Sequence, residues 1–182
     1  MMSPLAMKGS TMLNAEVLHH FDKNIIREIV IIKRDSFPHG WAVRDAEEYY
    51  GGMLRSEKNI HIILNDNGKK AGYLLAIPQS DAVEELKNDD PGMKKDPKGY
   101  YIETVGILPE SRGKKGLSLM LEKLVGECRK RGINKISLHA RIINNFSKII
   151  RKKFGTAEIR RIEKWRYYNF EEPTDYIEAV LP

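Results

Sequence analysis

Between Arg112 and Gly116 the chain reads RGKKG, so that three cationic side chains and two glycines fall within five residues. Residue types in that pattern suit an anion. Arginine can place forked hydrogen bonds on phosphate oxygens, and glycines let the backbone approach a ligand with no Cβ in the way. If a helix starts where the loop ends, its unpaired N–H groups and positive dipole end add to the attraction. A pyrophosphate is the natural ligand. Its candidate contacts are Arg112, Gly113, Lys114, Lys115 and Gly116, with Leu117 and Ser118 at the helix start. The same run also reads as a solvated basic turn, because short glycine motifs recur without function.

Such a loop needs a strand before it and a helix after it. Tyr100 to Leu108 is rich in β-branched and aromatic residues and stops at Pro109, which cannot donate to a sheet ladder. Leu117, Met120, Leu121, Leu124, Val125 and Cys128 recur at the three- and four-residue spacing of one helix face. Upstream, residues 1–12 read as a flexible leader and 13–20 as a strand. A helix capped by Asp22 runs to Phe37 and Pro38. A second helix spans 45–56, with Tyr49, Met53 and Leu54 facing inward. Strands at 59–65 and 71–78 flank a hairpin turn at 66–69. A polar segment, 79–98, opens with a short helix. Downstream, Gly132 closes the central helix, and 135–140 forms a strand parallel to the central one if that helix crosses over. A helix at 144–153 follows, then strands at 157–168 and 176–181 joined by a turn at 171–174. The order describes a mixed α/β sheet.

With 182 residues and one cysteine, Cys128, the chain suits one domain with no internal disulfide. Cys128 lies on the apolar helix face, where a thiol is inert. No apolar run reaches membrane-spanning length and the N-terminus lacks the core of a secretion signal, so a cytoplasmic protein with no membrane partner is expected. The net charge of +6 is uneven: from Tyr100 to Phe170 there are 17 Lys and Arg against 6 Glu and no Asp. The basicity belongs to the half that carries the anion loop.

The order of elements, with particular residues, resembles the GNAT superfamily of acyl-CoA-dependent N-acyltransferases. The family's loop reads as valine, any residue, proline, then Arg or Gln, two residues, Gly, one residue, and Gly or Ala. Ile107, Pro109, Arg112, Gly116 and Ser118 match in kind, with Lys115 making the spacing from Arg112 one residue longer. Either Lys115 replaces the usual glycine, or Gly113 replaces the usual Arg and Gly116 with Ser118 completes the motif; the second puts the small residues where phosphates need close approach. Asn144, Ser147, Ile150, Phe154 and Gly155 match a second motif. The resemblance implies a mixed, mostly antiparallel central sheet flanked by helices, with a splayed parallel strand pair at the cofactor site, as a single domain over 13–182. It implies acetyl-CoA as cofactor, CoA as product, and a primary amine of a small molecule or protein as acceptor. Attack is direct, with the backbone at Val105, Gly106 and Ile107 receiving the thioester and pantetheine, and Asn144 touching the pantetheine arm or nearby backbone. No metal ligands are assigned.

Seven residues after Asn144, where the family often has a tyrosine that protonates the departing thiolate, stands Arg151. Arginine can stabilise a thiolate but is a poor proton donor, which leaves Tyr167, Tyr168 or water. Attack needs a neutral amine and hence a base near neutral pKa. His139 occupies the position where relatives acting on protein N-termini often carry a catalytic glutamate, and imidazole suits that task. Glu103 competes: four residues before Ile107, it shares that residue's face by the two-residue strand period. Each also reads as a hydrogen-bonded structural residue.

Two other classes stay open. One is an acyl-CoA-binding regulatory module without turnover, as the missing tyrosine suggests. The other is an RNA-associated basic domain, since IRRIEKWRYYN over 159–169 interleaves bases with Trp165, Tyr167 and Tyr168. A homodimer is compatible with the resemblance. The acidic segment around Asp81 to Asp90 reads as a border of the acceptor site or as a mobile surface loop.

Overall fold

The computed structural model describes residues 12–37, 45–167 and 170–182. The leader read over 1–12, apart from Met12, and the side chains of Tyr167 and Tyr168 lie outside the described residues. A seven-stranded sheet runs in the order β1-β2-β3-β4-β5-β7-β6. Its strands are β1 (Leu13–Val17), β2 (Ile60–Asp66), β3 (Lys69–Pro78), β4 (Gly99–Ile107), β5 (Lys135–Arg141), β6 (Gly155–Tyr167) and β7 (Phe170–Val180). Helices α1 (Lys23–Ser36), α2 (Ala46–Arg55) and α3 (Gln79–Leu86) pack on one face, and α4 (Gly116–Lys130) and α5 (Phe146–Lys153) on the other.

Local chemistry explains most boundaries. The Asp22 carboxylate accepts the Ile25 N–H at 2.9 Å and starts α1. Asn67 and Gly68 both have positive φ, 52° and 79°, as a two-residue hairpin between right-twisted strands requires. Gly132, with φ 68°, ends α4; the Ile133 N–H then reaches back to the Cys128 carbonyl at 2.9 Å, which satisfies one of the last helical carbonyls.

Strand alternation divides the core in two. Ile62, Leu64, Leu74, Ile102 and Leu138 meet Met120, Leu121 and Leu124 of α4. Ile63, Tyr73, Leu75 and Tyr101 meet Ile29 and Ile32 of α1 and Tyr50 of α2. On α2, Tyr50 is buried and the expected Tyr49 and Met53 are only half-buried.

Every neighbouring pair is antiparallel except β4 and β5. That pair is joined only from Gly99 to Tyr101 against Lys135 to Ser137, and beyond this point the strands splay. The mixed, mostly antiparallel sheet with its splayed parallel pair is as expected.

Two expectations are corrected. The turn expected at 171–174 is strand: β7 starts at Phe170, and Pro173 is accommodated by a bulge that sets Glu163 and Lys164 against it, between the pairs Ile162 with Thr174 and Trp165 with Glu172. A proline has no N–H to donate, so the partner strand gains a residue there rather than the chain turning. The acidic segment is also not a free surface loop. Asp90 is 3% and Met93 6% exposed, so the segment is anchored there, while Asp81, Glu84, Glu85 and Asp89 are exposed.

Candidate functional site

The basic loop joins β4 to α4 through a 3-10 turn at Pro109–Ser111. Gly113 (φ 75°) and Lys115 (φ 67°) both adopt the left-handed region, which turns the chain sharply into the helix. Lys115 is the N-cap of α4 and makes no side-chain cap bond, and the first turn holds no acid. The helix therefore offers uncapped N–H donors and its positive end to a cleft of about 800 Å3. Gly106, Ile107, Arg112, Gly113, Lys115, Gly116, Leu117 and Ser118 line that cleft. These features fit a pyrophosphate, which backbone N–H groups at a helix start can bind.

The loop's side chains have different employments. Arg112 donates through Nε to the Ile107 carbonyl at 3.0 Å and through Nη2 to the Ser36 carbonyl at 2.9 Å, which ties the loop to the ends of β4 and α1. Lys114 turns from the cleft to Asp66 at 2.8 Å, where Ser111 also donates at 2.8 Å. It anchors the loop to β2. Gly116 is a glycine for packing: a Cβ there would lie 2.5 Å from Leu64 Cδ2. Gly113 faces open space, and its positive φ is what requires glycine. Arg151 is exposed on α5 and is not among the cleft-lining residues.

Where β4 and β5 part, a second cavity of about 290 Å3 adjoins the cleft. Phe37, Val105, Arg141, Asn144 and Phe146 border both. Gly106 permits this junction, since a Cβ there would come within 3.1 Å of Ser36 Cβ and 3.2 Å of Phe37 Cε2. Asn144 accepts the Phe146 N–H at 2.9 Å and so positions the start of α5 at the rim.

Glu103 lies in this second cavity, and it does so because of a bulge. Leu75 pairs with Thr104 and Ala76 with Ile102, so Glu103 is an extra residue with no partner on β3. The bulge shifts the alternation: Tyr100 and Ile102 face α4, and so do Val105 and Ile107, at odd rather than even spacing from them. The expectation that Glu103 shares the face of Ile107 is thus corrected. It points instead to the α1 and α2 side, where Tyr49 Oη donates to it at 3.0 Å. Burial pushes its carboxyl up to about 6, against the Tyr49 hydrogen bond and the charge of Lys33. Lys33, pushed down to about 8 by burial and partly restored by Glu103, bonds Thr104 Oγ1 at 3.3 Å and stands 3.7 Å from the Phe37 ring centre. Lys33 and Phe37 were not singled out in the sequence; nothing in a lysine on an amphipathic helix distinguishes it from solvated ones.

His139 also borders the cavity, but both its ring nitrogens are engaged. Nδ1 lies 2.9 Å from Tyr101 Oη and Nε2 3.0 Å from Asp90 Oδ2, and the ring stacks on Trp165 at 3.9 Å. Burial lowers its pKa despite the Asp90 carboxylate. Asp90 in turn takes two hydrogen bonds from Arg160, each 2.8 Å. Burial opposes the ionised form of Asp90, and the bonds from His139 and Arg160 outweigh it and hold the carboxyl low. The cluster ties the 79–98 segment to β5 and β6. It also uses up residues of the basic aromatic run: Trp165 is buried, Arg160 is held by Asp90, and Arg161 pairs with Asp175 at 2.7 Å. The described part of that run, Ile159 to Tyr167, belongs to one long strand, and Trp165 is buried away from any stacking on bases. Cys128 is fully buried, with its thiol pushed up to about 12 by burial, which suits no nucleophilic role. Among the described residues no helix is long and apolar enough to cross a membrane.

The profile of the Acetyltransferase (GNAT) family matches residues 26–156. No curated protein matches the sequence. Solved structures do. Arabidopsis thaliana NAA60 in complex with acetyl-CoA superposes with a TM-score of 0.70 at 14% identity, covering 93% of this chain and 99% of that one. The ribosomal-protein-S18-alanine N-acetyltransferase of Escherichia coli gives 0.64 at 16% identity, over 93% and 94%. Spermidine/spermine N-acetyltransferase SpeG of Vibrio cholerae gives 0.64 at 14%, over 93% and 92%. At these identities the likeness is one of fold.

Proposed function

Because the chain belongs to the GNAT acetyltransferase family, whose profile spans residues 26–156, we propose that it transfers acetyl from acetyl-CoA to a primary amine by direct attack, with Glu103 as the base. Residues 13–182 act as one catalytic domain in this reading. The observation that carries it is the junction: the cleft of the basic loop and the cavity holding Glu103 meet at Phe37, Val105 and Asn144. Bound acetyl-CoA supplies an acetyl group activated as a thioester. The chain's own residues do the rest. The α4 N-terminus and Lys115 hold the phosphates, and the backbone around Val105 to Ile107, freed by the splay, receives the pantetheine and thioester carbonyl. Glu103, with a carboxyl near 6, is ionised at neutral pH and basic enough to take a proton from an incoming ammonium, directly or through one water. His139 is a weaker choice, because its nitrogens already face Tyr101 and Asp90. With Arg151 exposed, water is the simplest proton source for the leaving thiolate.

Among the similar enzymes the acceptors are spermidine or spermine and an alanine of ribosomal protein S18, and a screen over polyamines, other small amines and protein N-termini is the test. Calorimetric titration with acetyl-CoA and with CoA comes first, on the native chain and on Lys115→Glu. Donor binding weakened by that substitution, with acetyl transfer to some amine lost in Glu103→Gln, is the expected result. Binding with no transfer to any amine would instead favour an acyl-CoA-binding module, and no binding would sink the reading.

A further inference from the structure

We propose that the Ser36 hydroxyl is a binding group for the donor, giving a hydrogen bond to an amide carbonyl of the pantetheine arm. This role presupposes the acetyl-CoA reading above and adds to it a side chain from α1, beyond what the basic loop and the β4 backbone supply.

Among the described residues, two buried side-chain atoms have no hydrogen-bond partner, Glu28 Oε2 and Ser36 Oγ. Glu28 Oε2 still faces the Lys70 ammonium at 3.0 Å. The Ser36 hydroxyl is left as a neutral donor with nothing to bond. Folded proteins pair the great majority of such groups, because a buried hydroxyl without a partner costs stability. It marks a place where a partner arrives from outside the chain.

The placement names that partner. Ser36 is the last residue of α1, and it lines the donor cleft but not the acceptor cavity, whereas the next residue, Phe37, lines both. It faces Gly106, on which a Cβ would lie 3.1 Å from Ser36 Cβ and 3.2 Å from Ser36 Oγ. Gly106 borders the cleft alone, and Val105, one residue back, borders both spaces. The hydroxyl thus stands beside the part of β4 released by the splay, just on the cleft side of the junction. With the thioester at the junction, the group on that side is the arm, whose carbonyl oxygens belong to its amides.

Ser36 is also held in position. Its carbonyl accepts Arg112 Nη2 at 2.9 Å, and Arg112 Nε donates to the Ile107 carbonyl at 3.0 Å, so one guanidinium fastens the end of α1 to the end of β4. The freedom that remains is the Cα–Cβ torsion, which has three staggered settings in serine. Turned against Gly106, the hydroxyl is shielded and unpaired. Rotated toward the cleft that its own residue lines, it meets the arm; the hydroxyl donates, the amide carbonyl accepts, and no proton is transferred.

The test is calorimetric titration of the native chain and of Ser36→Ala with acetyl-CoA, with CoA and with adenosine 3′,5′-bisphosphate, which lacks the arm, together with thermal unfolding of both proteins without ligand. Ser36→Ala should weaken acetyl-CoA and CoA alike by about fivefold, the equivalent of one net hydrogen bond, and leave the bisphosphate affinity unchanged. Its unfolding midpoint should equal or exceed that of the native chain, because the hydroxyl bonds to nothing in the free protein. A lowered midpoint would make the hydroxyl a structural group and overturn the proposal. So would unchanged affinity for CoA, a loss confined to acetyl-CoA, or an equal loss for the bisphosphate, and in each of these cases the donor reading stands. A native chain that binds none of the three ligands overturns both.

Discussion

Tyr49 on α2 donates its hydroxyl to Glu103 on β4 at 3.0 Å, and Glu103 is available to it only because a bulge turns that side chain away from the α4 face. One hydrogen bond thus links α2 to a carboxylate that lines the cavity. Burial lifts the Glu103 carboxyl and this bond restrains the lift.

Replacing Glu103 by Gln should lower kcat by about a hundredfold or more, the size expected for loss of a positioned base, with acetyl-CoA affinity nearly unchanged. In the native chain, kcat/KM should fall as pH drops through about 6, where Glu103 takes its proton. Initial-rate profiles on both proteins check this. A flat native profile across that range would remove Glu103 as the base.

The same substitution should stabilise the fold at neutral pH. A carboxyl whose folded pKa is raised contributes stability below its unfolded value and loses it as pH rises through the folded one, here from about 4.5 to about 6. An uncharged Gln avoids that loss, for a gain on the order of 1–2 kcal/mol at pH 8. Urea denaturation at pH 8 and pH 4 should show the gain at the higher pH alone.

Tyr49→Phe removes the bond that restrains the lift. The acid limb of the rate profile should move to higher pH, since burial is then less opposed. An unmoved limb would mean that water replaces the hydroxyl.

Gly116→Ala should destabilise the chain by about 1–3 kcal/mol, the usual range for overpacking, because its Cβ would lie 2.5 Å from Leu64 Cδ2. Leu64→Ala in the same chain should recover part of that loss in denaturant titrations. Additive losses in the double variant would contradict the packing explanation.

At the basic loop, Lys115→Glu should weaken acetyl-CoA by about tenfold, as charge reversal at a helix N-terminus does. Lys114→Ala should change affinity less, since Lys114 faces Asp66. Equal losses would show that Lys114 reaches the phosphates when the donor binds.

Much of the architecture was legible in the sequence where the determinants are local. Asp22 as a cap, Asn67 and Gly68 as a hairpin turn, Gly132 as a helix stop and the strand, loop and helix around RGKKG each depend on a few adjacent residues whose φ preferences and hydrogen-bonding groups act at short range. The crossover helix then made β4 and β5 parallel, as short right-handed connections require. The bulge at Pro173 was not legible, because a proline signals a turn unless a partner strand absorbs its missing N–H.

What the tertiary structure decided was where the titratable groups look. The two-residue period assigns Glu103 to the face of Ile107, and a single extra residue against β3 reverses it. His139, a plausible base by position, is closed between Tyr101 and Asp90, and Asp90 comes from a segment that reads as a surface loop. Lys33 acquires its lowered pKa from burial against β4 residues some seventy positions away. The sequence by itself determined the elements and the anion loop, since those follow from backbone preferences and apolar spacing. Register and burial depend on pairings between distant strands, and through them the fold determined which carboxylate, imidazole and amine share the cavity.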